Sequence, residues 1–400
     1  MIKVDFDKLA DELLATGMAK VRVKEMIKQI KQDMIDWPEM YESGGGYEEA
    51  LKMGFIPGHV KLFEAFDDPM REENRDCFYR DFDYFMSHPM NNHFAFWIND
   101  KLTLKYMLNA PGFRQYMPEY YLYIENDGHY SYLMDVPDDI PKDENFLYNL
   151  LVEKKQLAMK PNHGSGGKGF LGLALRDGEI TVNGKRIDKN EFEELKTQLN
   201  GYIVTEFIKQ TEDLDRIFPG TDCALRFILY KKVQKRYTDD AEYGCLISYA
   251  RFGSERSNGA SNLCHGGLAV RVDWETGEFK GNFRGNGEFW GHSGVRGFRE
   301  HPDTGKPIDG ERIPHWEKIR KGLFDICRYL SSLDLFGMDV IVTDDGFMLC
   351  EINSAPSTGL GQFHQGKCCL DNEDARAYAE SKKRPYKKSF YDCFMAATEA

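Results

Sequence analysis

The sequence predicts an α+β fold in which a mainly helical N-terminal region precedes two α+β lobes. Three observations carry this. Apolar residues recur at helical spacing over residues 3 to 36, and helical character continues through the aromatic-rich residues 47 to 95. From residue 120 the pattern changes to short β-rich runs, among them YYLYIEN, QLAMK, GYIVTEFI, ALRFILY and GCLISYARF. A chain of 400 residues is also longer than one hydrophobic core usually serves, so lobes sharing a cleft are expected. The divisions read as 1–95 for the helical region, 96–205 for a small lobe with a glycine flap, and 206–400 for a large lobe ending in a helical tail.

Taken in order, Trp37-Pro38 ends the first helical stretch, and Gly44-Gly45-Gly46 forms a loop. From Asn99 a helix carries Asp100, Lys101 and Lys105. QLAMK (156–160) and FLGLAL (170–175) read as strands flanking a glycine loop. Residues 177 to 186 read as a turn and hairpin tipped by Asn183-Gly184, and 189 to 199 as a charged helix. The polar, glycine-dense stretch from Gly253 to Gly297 is too long for an idle connection and reads as a functional loop. A helix over 315 to 333 precedes a hairpin, and the last thirty residues read as charged and helical.

The net charge of −13, from 52 basic and 65 acidic residues, argues against general nucleic-acid binding, which needs a basic face. A local basic pocket is still compatible with it. No apolar run approaches the roughly 18 residues that span a bilayer, and MIKVDFDKLADELL reads as an amphipathic helix start without a signal-peptide core. The nine cysteines are scattered, odd in number and without a CxxC pair, so reduced thiols in the cytoplasm are expected. Adjacent Cys368 and Cys369 offer a redox-active alternative.

Two motifs carry the chemistry. The first, KPNHGSGGKG from Lys160 to Gly169, is a lysine-fronted glycine loop. Gly164, Gly166 and Gly169 satisfy GxGxxG, but a strand and not a helix follows, which excludes the dinucleotide fingerprint. Walker A fails at Asn162 and Gly169, and the kinase HRD and DFG signatures are missing. A glycine loop between strands can close over phosphates as a flap, with backbone N–H groups aimed at the anion. Lys160, Gly164, Ser165, Gly166, Gly167 and Lys168 are the candidates; a plain hairpin tip is the structural alternative.

The second motif is GMDVIVTDDGFMLCEINS, from Gly337 to Ser354. A three-residue turn at Asp344-Asp345-Gly346 pairs Thr343 with Phe347, Ile341 with Leu349 and Asp339 with Glu351, with Asn353 on the same face. Two carboxylates and an amide oxygen are hard ligands suited to Mg²⁺ against ATP phosphates. A polar hairpin face without metal would set two carboxylates opposite each other, where they repel.

Weaker signals surround these. At Glu206-Phe207-Ile208 a strand ends, and its backbone can bond an adenine edge, with Asp213 accepting from ribose hydroxyls. Arg226, in an otherwise apolar strand, needs a buried anion; a transferring phosphoryl group or a structural carboxylate would each serve. Asn262 and His265 can reach a phosphate or a reacting carbonyl, although His265 also fits a simple loop position. Arg251 and Arg256 either clamp an anionic substrate or lie in solvent.

The order Lys101, Lys160 with its glycine loop, the Glu206 hinge, then Asp339, Glu351 and Asn353 resembles the ATP-grasp superfamily. It looks most like the sugar-transfer-associated branch, found among polysaccharide-biosynthesis genes. The match runs from about Asp100 to Gln365, and KPNHGSGGKGF, FGMDV and CEINSAPS are its specific parts. The resemblance implies two lobes closing on MgATP. It places Lys101 and Lys160 on phosphate, Glu206 and Ile208 on adenine, Asp213 on ribose, and Asp339, Glu351 and Asn353 on magnesium. Arg226 falls where related enzymes hold a phosphate-contacting arginine, although Asp222-Cys223-Ala224 precede it in place of the usual Asn-Thr. The implied activity is ADP-forming ligation of a small-molecule carboxylate and an amine, in polysaccharide or cell-surface modification. A kinase acting on a hydroxyl and a non-catalytic ATP-binding regulator are the alternatives.

Overall fold

The computed structural model describes residues 2–164, 168–233, 241–257, 261–286 and 295–398. Asp5 caps helix α1 (Phe6–Ala15) by accepting from the backbone N–H groups of Asp7 and Lys8. Gly17, at φ +94°, then turns the chain into α2 (Lys20–Asp36), so the single helical pattern over 3 to 36 folds as two helices. Next come α3 (Tyr47–Met53), α4 (Pro57–Phe63) and α5 (Asp81–Ser87). Leu9, Leu13, Met26, Ile30, Tyr41 and Phe82 form a core here that includes Phe390 and Phe394 from near the C-terminus. Helices α6 (Ala95–Asn99) and α7 (Lys101–Leu108) follow; Asp100 caps α7 by accepting from Thr103 N at 2.6 Å.

The first sheet is antiparallel throughout, with β1 (Tyr120–Ile124), β2 (Tyr130–Tyr132), β3 (Gln156–Pro161), β4 (Leu171–Arg176), β5 (Glu179–Val182), β6 (Lys185–Ile187) and β7 (Tyr202–Glu206) in the order 2-1-7-3-4-5-6. Residues 171 to 187 form a three-stranded meander, turned at Asp177-Gly178 and at Asn183-Gly184. Both residues of each turn have positive φ, as two-residue hairpins of this hand require. Helices α8 (Phe146–Lys154) and α9 (Lys189–Gln198), the latter opened by a capping box of Asp188 and Glu191, cover one face. After β7 the short α10 (Glu212–Asp215) leads to the second sheet.

That sheet orders β12 (Val295–Phe298), β11 (Phe279–Asn286), β10 (Leu268–Val272), β9 (Tyr243–Phe252), β8 (Ala224–Lys231), β13 (Leu335–Thr343) and β14 (Gly346–Asn353), again all antiparallel. The polar stretch 253–297, read from sequence as a functional loop, therefore supplies three strands. Its alternation is hidden because glycine interrupts the apolar positions of β11 and the pair slips register between Ala269 and Arg271. On β8, Leu225, Phe227 and Leu229 point into a core shared with α7 and with α11 (Trp316–Tyr329). Ile228 and Tyr230 point to the opposite face. There they meet α4, α12 (Thr358–Gln365) and α13 (Glu373–Lys382). The final helix, α14 (Phe390–Ala396), returns to α1 and α3. No helix among the described residues is long and apolar enough to cross a membrane, and the eight described cysteines are free thiols.

Candidate active site

Strand alternation builds the site. On β3, Leu157 and Met159 are buried in the first lobe's core, so Ala158 and Lys160 face the other way. Lys160 lies over the Tyr120 ring, 5.8 Å from its centroid. Burial lowers its pKa, and the neighbouring Lys101 lowers it further, against the opposing pull of Glu351. Lys101, on the first turn of α7, reaches the carbonyls of Gly164 at 3.2 Å and Asn162 at 3.5 Å, and lies 3.7 Å from Glu351 Oε2. A cavity of about 110 Å³ opens among Lys101, Lys160, Lys168, Phe170, Cys350 and Glu351. Three lysines against one carboxylate give it an excess of positive charge, the kind of lining that attracts an anion.

Asn162 locks this corner. Its amide donates to Asp100 Oδ2 at 2.6 Å and accepts from Leu102 N at 3.0 Å, tying the root of the glycine loop to the start of α7. The far root needs glycine. Gly169 has φ +79°, and a Cβ there would lie 2.8 Å from Tyr202 Oη and 2.9 Å from Pro161. Gly164 lines the cavity, whereas Ser165, Gly166 and Gly167 lie outside the described residues.

The hairpin of β13 and β14 pairs Asp339 with Glu351, as the sequence implies, but by a different route. The turn holds two residues, Asp344 and Asp345, so Thr343 pairs with Gly346 and Ile341 with Met348. A bulge at Cys350 then adds a residue to β14 and restores the register at Glu351. Asn353 lies two positions on, and its Nδ2 donates to Glu351 Oε1 at 3.0 Å.

Across the sheet, Glu351, Asp339, Arg226, Tyr249 and Arg271 are successive register partners, so they form one row on one face. Arg226 grips Asp339 with two donors, Nε on Oδ1 and Nη2 on Oδ2 at 2.6 Å. Arg251 stands 3.2 Å from Asp339 Oδ1 and donates to Asn262 Oδ1 at 2.6 Å. Burial opposes ionisation of Asp339, but Arg226 and then Arg251 outweigh it and hold the carboxyl down to about 2. Burial also opposes the charge on Arg226, and Asp339 more than compensates, so its pKa is raised. The buried anion that Arg226 requires is thus a carboxylate within the protein. Cys350 beside Lys160 is pushed up to about 12 by burial, so it is a thiol at neutral pH and a poor nucleophile.

The remaining candidates are less converged. Glu206 ends β7, where its carboxylate accepts from Glu119 N at 3.1 Å, and Phe207 packs toward Gly172 on β4. Ile208 is half-buried in the link to α10, and Asp213 is exposed on α10. His265 is exposed on a single helical turn, and its backbone N–H donates to Asn262 O at 3.0 Å. No side-chain contact among the described residues brings it to Asp339. Arg251, which the sequence left between substrate clamp and solvent, is a full member of the cluster. Its signal would have been the cross-strand register of β9.

The donor set fits Mg²⁺ in kind: two carboxylates and an amide oxygen share one face. Each carboxylate is paired with cations, Asp339 with two arginines and Glu351 with Lys101, which are groups that phosphate oxygens would attract.

A search of curated proteins gave no match. Among solved structures the chain is similar to D-alanyl-alanine synthetase A from Vibrio cholerae, with 11% identity, TM-score 0.39, and coverage of 74% of this chain and 66% of that one. It is similar to D-alanine–D-alanine ligase from Bacillus anthracis at 13% identity and TM-score 0.36, over 73% of this chain and 67% of that one. It also resembles the ATP-grasp ligase PsnB complexed with a phosphomimetic variant of its minimal precursor, Mg and ADP, at 10% identity and TM-score 0.35. That match covers 73% of this chain but only 60% of the PsnB chain. At such identities the assignment rests on the family model for sugar-transfer associated ATP-grasp proteins, which matches residues 83–374. The match takes in Lys101, the glycine loop, Arg226 and the whole β13–β14 hairpin, and the chain belongs to the sugar-transfer associated ATP-grasp family and has the ATP-grasp fold.

Proposed function

We propose that the protein is an ADP-forming carboxylate–amine ligase that works through an acylphosphate. The observation that carries this reading is the lysine-lined cavity joined, through Glu351, to the charged row Glu351–Asp339–Arg226. Lys101, Lys160 and Lys168 would hold the ATP phosphates, with Gly164 to Gly169 as flap, and the Glu206–Ile208 segment and Asp213 would meet adenine and ribose. Asp339, Glu351 and Asn353 would hold magnesium, whose chemistry is to neutralise and orient phosphate oxygens.

The chain's own residues then do positioning and charge stabilisation. A substrate carboxylate oxygen attacks the γ-phosphorus and ADP leaves. The amine attacks the acyl carbon, loses a proton, and inorganic phosphate departs. Arg226 and Arg251, held by Asp339, are oriented to stabilise charge on the transferring phosphoryl group and the tetrahedral centre, with Asn262 fixed by Arg251 at the edge. This route needs no protein nucleophile, which agrees with the protonated thiol of Cys350.

The test is purified protein with MgATP, pooled carboxylic acids and hydroxylamine. An acylphosphate is captured as a hydroxamate with one ADP released. A stable phosphate ester without hydroxamate would instead identify a hydroxyl kinase, and AMP release would refute both.

A further inference from the structure

A second cavity lies away from the site described above. It has a volume of about 630 Å³, within the size range of small-molecule pockets. Four parts of the chain meet there: the end of α5 with the segment after it, the end of β8, the turn before β13, and the end of α13 with the residues after it. From Asp334 on its wall to Asp339 is five residues of strand, roughly 17 Å at about 3.3 Å per residue.

Its wall is sorted by chemistry. Lys231, Lys382, Lys383 and Arg384 face it, against one carboxylate, Asp334, among the described lining residues, in a chain whose net charge is −13. The two inner lysines already serve the fold: Lys231 donates to Ser331 O, and Lys382 pairs with Asp334 at 2.5 Å. The two outer cations are differently placed. Lys383 makes only an exposed pair with Glu380, and Arg384 makes no ion pair among the described residues. Exposed hydroxyls of Ser331 and Ser332 and the amide of Asn92 line the same space, while Pro89, Met90 and Phe94 give it an apolar wall.

Cations suit an anion, hydroxyl and amide groups suit hydroxyls, and an apolar wall suits a ring face. We propose that this cavity is a second ligand site, for a small hydroxyl-bearing phosphate ester of the sugar-phosphate kind. Lys383 and Arg384 hold the phosphate, and Ser331, Ser332 and Asn92 meet the hydroxyls. The site is also wired to the hairpin. Asn91, on its wall, accepts from Asp334 N at 2.8 Å and Leu335 N at 3.1 Å, and donates to Leu335 O at 2.7 Å and Ser354 O at 3.3 Å. It thereby clamps the first residue of β13 to the residue after Asn353, so a bound ester braces the strand ends that carry Asp339 and Glu351.

The experiment is titration calorimetry of the full chain without nucleotide, using glucose 6-phosphate, inorganic phosphate and glucose. Glucose 6-phosphate should bind saturably and at least tenfold more tightly than phosphate, and glucose should give no heat. The double variant Lys383→Gln/Arg384→Gln should weaken glucose 6-phosphate at least tenfold with an unchanged circular dichroism spectrum. Glu351→Gln should leave that binding intact, which separates this site from the nucleotide site. Absence of binding, equal affinity for phosphate and its ester, unchanged affinity in the double variant, or loss in Glu351→Gln would each overturn the proposal.

Discussion

At the scale of single residues, Asp339 decides the character of the site. Two arginines hold its carboxyl down to about 2, so it is an anion at neutral pH. In return it aims both guanidinium groups along the row. Arg226→Ala should therefore lower kcat by about 100-fold or more while the KM for ATP moves only a few-fold, because the interaction is strongest where charge develops. Equal losses in both would make Arg226 a ground-state ligand. Asp222 behaves in the opposite sense: burial, and then Asp215, push its carboxyl up from 3.8 to about 6. Between those values the folded chain holds a proton that the unfolded chain releases, so stability falls as pH rises from about 4 to about 6, then levels off. Asp222→Asn should flatten that slope and raise stability at pH 7 by about 1–3 kcal/mol, read from urea melts across the range. An unchanged slope would mean that solvent reaches the carboxyl. The lysine-fronted loop and the pairing of Asp339 with Glu351 were legible because their determinants are local. Arg251 was not, because its place depends on the register of β9 against β8, and β8 against a strand more than a hundred residues on.

At the scale of elements, the hairpin shows two local errors cancelling. Counting from a three-residue turn and counting from the two-residue turn with a bulge both reach Asp339 opposite Glu351, but only the second swings Cys350 out beside Lys160. The bulge leaves no mark in the hydrophobic pattern, since Leu349 and Ile352 are buried in either reading. Helix α12 makes a sharper test of packing against propensity. A Cβ on Gly359 would lie 2.5 Å from Asp81 Oδ1 and 2.9 Å from the His59 ring. These two groups form a buried pair at 2.9 Å, and Asp81 also accepts from Ile56 N. Alanine is favoured over glycine inside a helix by about 1 kcal/mol. Overpacking of a close contact costs about 1–3 kcal/mol, and here it also disturbs a charged hydrogen bond. Gly359→Ala is therefore expected to lower the denaturation midpoint. A higher midpoint would show that α12 slides freely on α4 and α5.

At the scale of the whole molecule, the chain closes on itself. Val4 bridges Thr398, Asp5 N donates to Ala397 O at 2.8 Å, and α14 fills the core begun by α1. Nothing in the sequence announces this, because the contacts join segments almost four hundred residues apart and each segment alone reads as an ordinary amphipathic helix. The consequence is a helical core built from both ends of the chain, with Phe394 fully buried among Tyr41, Tyr47 and Phe390 at ring separations of 6.3 to 6.5 Å. None of these residues lines the cavity between Lys160 and Glu351. Removing the ring should cost about 3–5 kcal/mol, the usual range for a buried phenylalanine. If the core only supports the fold, Phe394→Ala should lower the melting temperature by several degrees. At a temperature where the variant remains folded, the KM for ATP should stay within about twofold. A collapse of nucleotide affinity under those conditions would mean that the helical core sets the geometry of the cleft through α5 and α12.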